Sequence, residues 1–237
     1  MNYDQYTHNS KNPIVRYAHR SRLSNALSLF KNSTSLDILD FGCGDGNFLN
    51  SLSIGNRSLG SRSIGFEPYM PIKKDFKNLH IYSDWTQVIS NTKEHALFDV
   101  VTCFEVMEHF SEELQINNLN KIKEVMKDSG KLIISVPIEK GLMSIIKNVR
   151  RISISYSGNK HIYTLKNIIC SAFGIKTQDL KKLREGSDYL SHMGFYFDDF
   201  EKILEQNFII KEKRLSPFNR LSFQFNSQVF YTLNKKP

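Results

Sequence analysis

The sequence predicts an α/β fold: a seven-stranded, mostly parallel sheet with helices on both faces and a helical, basic insert after the fifth strand. Three observations predict it. Short apolar runs of strand length alternate with helical stretches between residues 36 and 137, the pattern of a parallel sheet with helical crossovers. A glycine-rich turn joins the first run to the first of these helices. Two further apolar runs close the chain after a helix beginning near residue 198.

Each element has a local reason. Asn12 is placed as an N-cap and Pro13 at the first helical position, ahead of an amphipathic helix to Phe30 carrying Arg16, Arg20 and Arg22. LDILDF (36–41) is the first strand, GCGDG the turn, and NFLNSL opens a helix. SRSIGFE (61–67) and NLHIYS (78–83) are the second and third strands, and a helix begins at Asp84. FDVVTCF (98–104) is the fourth strand, followed by a helical stretch through Met126, and GKLIISVP (130–137) is the fifth. Residues 138–195 lose the strand rhythm. DDFEKILEQN (198–207) restores it, with acidic residues in the first turn where the helix dipole favours them. FIIKEKRLSPF and SFQFNSQVFYTLNK then form two closing strands joined through Ser216 and Pro217. The expected organisation is an N-terminal helical cap (1–35), a core (36–137), a basic insert or lid (138–195) and a completing helix with strands (196–237).

Composition sets the outer limits. With 40% apolar and 12% aromatic residues in 237, the chain can bury a substantial core, which excludes disorder as its overall state. Three cysteines, Cys43, Cys103 and Cys170, are too few for a disulfide framework. The polar N-terminus and the lack of a long apolar stretch point to a cytoplasmic protein. Peripheral contact with the inner face of a membrane is the alternative.

The formal charge of +8 is unevenly spread. Residues 1–35 carry +4, 36–139 carry −5, 140–195 carry +7 and 196–237 carry +2. An acidic body therefore bears a basic arm and a basic insert.

The sharpest signal is LDILDFGCGDGNF. Gly42, Gly44 and Gly46 leave a strand and open a helix, where backbone can pass close to a ligand and offer helix N-terminal amides; a tight turn needing positive φ is the plainer reading. The spacing is G-x-G-x-G rather than the G-x-G-x-x-G that suits a dinucleotide, and Asp40 and Asp45 would repel phosphates. Glu67 ends the second strand, where a carboxylate can accept both hydroxyls of a ribose. Asp84 and Trp85 begin the segment after the third, suited to an adenine amino group and its ring face. A core aromatic at a helix start is the alternative for Trp85.

These residues resemble the class I S-adenosylmethionine-dependent methyltransferases, in the form found in the quinone-biosynthesis-like and type 11 branches. LDFGCGDG, GFEPY, SDW and FDVVTCFEVMEHF look like four family motifs in order. The likeness covers 36–137 well and 196–237 in outline. It implies a Rossmann-like sheet and S-adenosylmethionine as cofactor. Asp40, Gly42, Gly44 and Gly46 would line its methionine part, Glu67 would hold the ribose, Asp84 and Trp85 the adenine, and Phe104 with Glu105 would form the floor beneath the sulfonium. A cationic cofactor suits the acidic body.

Glu105, Glu108 and His109 lie at i, i+3 and i+4, which on an α-helix is one face. This string also resembles small-RNA 2′-O-methyltransferases, in which such side chains with one further His hold a divalent ion. The expectation is nonetheless that they hydrogen-bond at a helix start and that a divalent metal is not required.

In class I enzymes the insert and the N-terminal cap choose the acceptor. Here Arg150, Arg151 and Tyr163, among other basic and aromatic residues, point to an anionic small-molecule or lipid-linked acceptor. GLMSIIKNVRRI also reads as an amphipathic helix suited to an anionic bilayer. Nucleic acid ranks lower, since +7 is modest for RNA. A looser likeness to methyltransferases of bacterial cell-surface polysaccharide and glycolipid pathways ranks O-methylation of a sugar first. His192 is the first choice of general base and His161 the second, with Tyr163 behind them. The alternatives are an RNA 2′-O-methyltransferase, a quinone or lipid methyltransferase, and a regulatory domain that binds the cofactor without catalysis.

Overall fold

The structure, a computed structural model, describes residues 13–30, 35–55, 62–70, 79–153, 164–182, 184 and 192–236. Seven strands form one mostly parallel mixed sheet in the order β3-β2-β1-β4-β5-β7-β6. Compact units run through Thr102 and from Cys103 onward.

In the first unit, helix α1 (Pro13–Ser28) begins at the proline whose fixed φ suits a first helical position. It is followed by β1 (Ile38–Phe41), α2 (Asn47–Gly55), β2 (Ser63–Phe66), β3 (His80–Tyr82), α3 (Trp85–His95) and the first part of β4 (Phe98–Phe104). β1 pairs parallel with β2 and β4, and β2 with β3. All four residues of β1 are buried, as a parallel strand covered on both faces requires. Gly65 of β2 is needed for a different reason. A Cβ there would lie 2.5 Å from Cys43 Sγ, so only glycine lets the turn after β1 pass over β2.

The second unit takes up the end of β4, a 3₁₀ turn (Met107–His109), α4 (Glu112–Val125) and β5 (Met126–Pro137). The insert holds α5 (Leu142–Ser153), α6 (Leu165–Ala172) and α7 (Gln178–Lys182). After it come α8 (Phe197–Asn207), β6 (Phe208–Ser216) and β7 (Gln228–Lys235), and β7 pairs antiparallel with both β5 and β6.

Three sequence expectations are corrected here. The helix after β4 starts only at Glu112, because the Ser111 hydroxyl accepts from Leu114 N and caps it there. β5 begins at Met126 with no turn before it. The last strand starts at Gln228 rather than Ser222, because buried Asn226 organises the preceding loop. Its Oδ1 accepts from Phe218 N, and its Nδ2 donates to the carbonyls of Phe218, Leu221 and Ser222.

The insert is fastened to the end of β5. The Glu139 carbonyl accepts from both Ser144 Oγ and Ser171 Oγ at 2.8 Å. Lys147 Nζ donates to Ile138 O and to the fully buried Glu139 carboxylate at 2.9 Å. Lys147, one of the basic residues of the insert, is therefore a structural tether. His161 and Tyr163 lie outside the described residues, as do the side chains of Arg150 and Arg151 and the expected N-cap Asn12.

Candidate active site

In the first unit the turn after β1 takes positive φ at Gly42 (77°), Gly44 (56°) and Gly46 (76°), which explains three glycines in five residues. Gly42 N and Cys43 N both donate to Phe66 O, which fixes the turn to the end of β2. Asp45 accepts from Asn47 N at the first turn of α2. Its charge therefore serves the helix start.

Glu67 is buried, and its carboxylate joins this turn to the segment after β2. Oε2 accepts from Gly44 N at 3.0 Å, while Oε1 accepts from Tyr69 N and Met70 N at 3.0 and 3.1 Å. A carboxylate has about four acceptor sites, two on each oxygen, so Oε1 is fully used and Oε2 keeps capacity for one hydroxyl. Asp40 is also buried and accepts from Thr102 Oγ1 at 2.7 Å. Burial pushes its pKa up to about 7; the Thr102 hydrogen bond opposes the shift and the Glu67 charge adds to it. The native state thus holds this proton more tightly than the unfolded chain does. Its contribution to stability is complete below pH 4 and is lost as pH rises towards 7.

Asp84 caps α3, accepting from Thr86 N at 2.9 Å. Trp85 packs edge-on against Phe41 and Phe66, with centroids 5.7 and 5.1 Å away, and its ring is half-buried. Both residues thus have structural work besides the role expected of them.

In the second unit Phe104 meets Phe230 at 5.9 Å. Glu105 then takes φ +57°, a left-handed conformation that costs a non-glycine residue about 1 kcal/mol or more. It is held by Glu105 N donating to Ser135 O and by Gln228 Nε2 donating to Glu105 Oε1 at 2.8 Å; the same nitrogen donates to Ser135 Oγ.

The helical face expected for Glu105, Glu108 and His109 is not formed, because a kinked residue and a 3₁₀ turn stand where the helix was expected. The structure instead brings Glu108 and His109 to His192, with ligand atoms all within 4.8 Å of one another. The Glu108 side chain is fully buried, with Oε1 3.9 Å from both His109 Nε2 and His192 Nδ1. The two imidazoles meet edge to face at 4.8 Å.

Side chains that sequence reasoning passed over build this arrangement. Buried Gln115 donates to Met107 O and Phe110 O and braces the 3₁₀ turn. Arg184 donates to Phe110 O. Met193 is plugged into a small core with Ile168 and Leu180, and it anchors the neighbouring His192. No spacing in the chain announces Gln115 or Gln228; for Met193 the signal was its place between His192 and Gly194.

The turn of positive-φ glycines is thus fixed to a buried acid at the end of β2. Residues 14–167 match the family described as a methyltransferase domain. The chain belongs to that family. A ubiquinone biosynthesis O-methyltransferase from Citrobacter koseri is 27% identical over 117 residues, covering 46% of this chain and 47% of the relative; an Escherichia coli K12 enzyme of the same name gives the same figures. The methyltransferase thus matches about half the length of these curated relatives. Among solved structures, magnesium protoporphyrin IX methyltransferase from Synechocystis, with bound S-adenosylhomocysteine, has a TM-score of 0.55 at 14% identity, covering 96% of this chain and 89% of that one. The plantazolicin methyltransferase BpumL has a TM-score of 0.56 at 17% identity, covering 97% and 87%. These structural likenesses share the fold with this methyltransferase.

Proposed function

We propose that the enzyme methylates a hydroxyl oxygen of a small or lipid-linked acceptor, with His192 taking the hydroxyl proton. The observation that carries this reading is the meeting of Glu108, His109 and His192. In the reaction the acceptor oxygen bonds to the methyl carbon as the carbon–sulfur bond breaks, and S-adenosylhomocysteine leaves neutral at sulfur. The proton goes to His192 Nε2, since Nδ1 faces the Glu108 carboxylate, whose charge favours the imidazolium that forms. The O-methyltransferase names of the curated relatives support oxygen as the acceptor atom. Arg150 and Arg151 would supply charge for an anionic acceptor. A sugar of a cell-surface glycan pathway is the first acceptor to test and a quinone precursor the second.

The same triad favours a second reading. One carboxylate and two imidazoles at this spacing fit a divalent cation, which Glu108, His109 and His192 would hold. Such an ion would lower the pKa of an acceptor hydroxyl.

In the first unit cofactor binding falls to Asp40, the three glycines, Glu67, Asp84 and Trp85. With Asp40 titrating near 7, a cation placed beside it favours the carboxylate. S-Adenosylmethionine binding should therefore release protons near neutrality and tighten as pH rises from about 6 to about 8. Calorimetry in two buffers of different ionisation enthalpy reads both effects; an affinity flat over that range would remove Asp40 from the site.

The test of the reaction is methyl transfer to fractionated cell extract with mass spectrometry of the product, repeated with EDTA and with His192→Ala. An O-methyl product, insensitivity to EDTA and a loss of about a hundredfold or more in His192→Ala are expected. Loss with EDTA and recovery on adding Mg²⁺ would establish the metal reading instead. Wild-type turnover in His192→Ala would end both.

A further inference from the structure

Helices α5 and α6 each bury polar side chains and expose an apolar stripe. Among the described residues of α5 the fully buried ones are Ser144 and Asn148, whereas Leu142, Ile146 and Val149, one helical stripe at i, i+4 and i+7, face water. On α6 Asn167 and Ser171 are buried beside Ile168 and Ala172, whereas Leu165 and Ile169, followed by Phe173 just beyond its end, are exposed. These six outward side chains are 44–76% exposed.

The two stripes belong to one surface. Ser144 and Ser171 both donate to the Glu139 carbonyl, so each helix turns its polar side to that point and its apolar side away. Gly141 N donates to Ala172 O at 2.8 Å, which sets Leu142 and Phe173 at the same end of the pair. A packed helix normally buries its apolar stripe. Two adjacent helices that expose theirs form a binding surface.

The charge around it names the occupant. Residues 140–182 contain nine Lys and Arg and one acidic residue, Asp179. Lys140, Lys147 and Lys176 pair with Asp198, Glu139 and Asp199, and Lys166 with Asp179. Lys181 and Lys182 are exposed. A second copy of this surface would bring like charges together. An anionic bilayer matches both the apolar stripes and the cations. Among the described residues no helix is long and apolar enough to cross a membrane, so the contact is made at the interface.

We propose that the outward faces of α5 and α6 dock this methyltransferase on an anionic bilayer surface, with their six apolar side chains entering the headgroup boundary. This goes beyond the reaction proposed above and does not depend on which atom is methylated. The experiment is co-sedimentation of the full-length protein with vesicles of phosphatidylcholine, alone or mixed with phosphatidylglycerol. Binding to the mixed vesicles that weakens with added NaCl is expected. Ile146→Glu combined with Phe173→Glu should lower the partition coefficient by about tenfold or more, while S-adenosylmethionine affinity by calorimetry stays at the wild-type value. If the double variant loses cofactor binding too, Phe173→Ser alone, a change at an exposed position, decides by the same loss of partitioning. Equal binding to both vesicle types, unchanged binding by the variants, or a dimer that the variants dissolve without any vesicle binding would overturn the proposal.

Discussion

Glu67→Ala should weaken S-adenosylmethionine binding by about tenfold to a hundredfold. In the proposed site Glu67 Oε2 accepts a ribose hydroxyl at its remaining acceptor site, and a hydrogen bond to a charged acceptor contributes about 1.5–3 kcal/mol. That amounts to a factor of about 10 to 10² in affinity. The same carboxylate accepts from Gly44, Tyr69 and Met70 N, so the alanine variant also frees the glycine turn that it fastens. Glu67→Gln separates the two contributions. Its carbonyl keeps one set of acceptor sites, its NH₂ opposes the other donors, and a loss smaller than that of the alanine variant is expected. Calorimetric titration with S-adenosylmethionine and with S-adenosylhomocysteine measures both variants, and circular dichroism checks the fold. Wild-type affinity in the alanine variant would remove Glu67 from the ribose site.

Much of this architecture is local and could be read from the chain. β1 and β4 are apolar runs because parallel central strands are buried on both faces, and Pro13 and Asp84 mark helix starts through side-chain chemistry that acts over three residues or fewer. The three glycines announce a turn because positive φ excludes most other residues. The Glu108 centre was only half legible. Glu108 and His109 are visible as a pair, but their i, i+3, i+4 spacing from Glu105 implies an α-helix, whereas the helix waits for the cap at Ser111. Gln228, from the far end of the chain, holds Glu105 in its kinked conformation, and no periodicity within the segment records that. His192 was singled out as a base, yet its partner Glu108 is set by tertiary packing.

Amphipathicity has the same limit. The alternation in GLMSIIKNVRRI shows that α5 has two faces, but whether the apolar one points inward depends on what lies beneath it. Here a backbone carbonyl at Glu139 awaits hydroxyl donors, and a buried carboxylate awaits Lys147. An unsatisfied carbonyl or an unpaired buried charge would cost more than the exposure of a few aliphatic side chains. The polar face therefore wins the interior, and the charge of Lys147 is used inside rather than offered to a ligand.

Glu108→Gln should cut turnover by about two to three orders of magnitude with little change in cofactor affinity. The substitution keeps the volume of a side chain that is wholly buried, so packing is retained and only the charge is removed. That charge lies 3.9 Å from both His109 Nε2 and His192 Nδ1, where in the proposed reaction it would support an imidazolium forming during methyl transfer; general-base assistance of this kind is worth about 10²–10⁴ in rate. An imidazole that loses a buried anion beside it releases its proton more readily. The acid limb of the rate profile should therefore move to lower pH in Glu108→Gln even as the plateau falls. A residue that only supports the fold would lower the plateau and leave the limb in place. With the rate profile, thermal unfolding and calorimetric cofactor affinity measured together, an unmoved limb would refute the Glu108–His192 pairing as the proton acceptor, and a full plateau would refute any part for Glu108 in the chemistry.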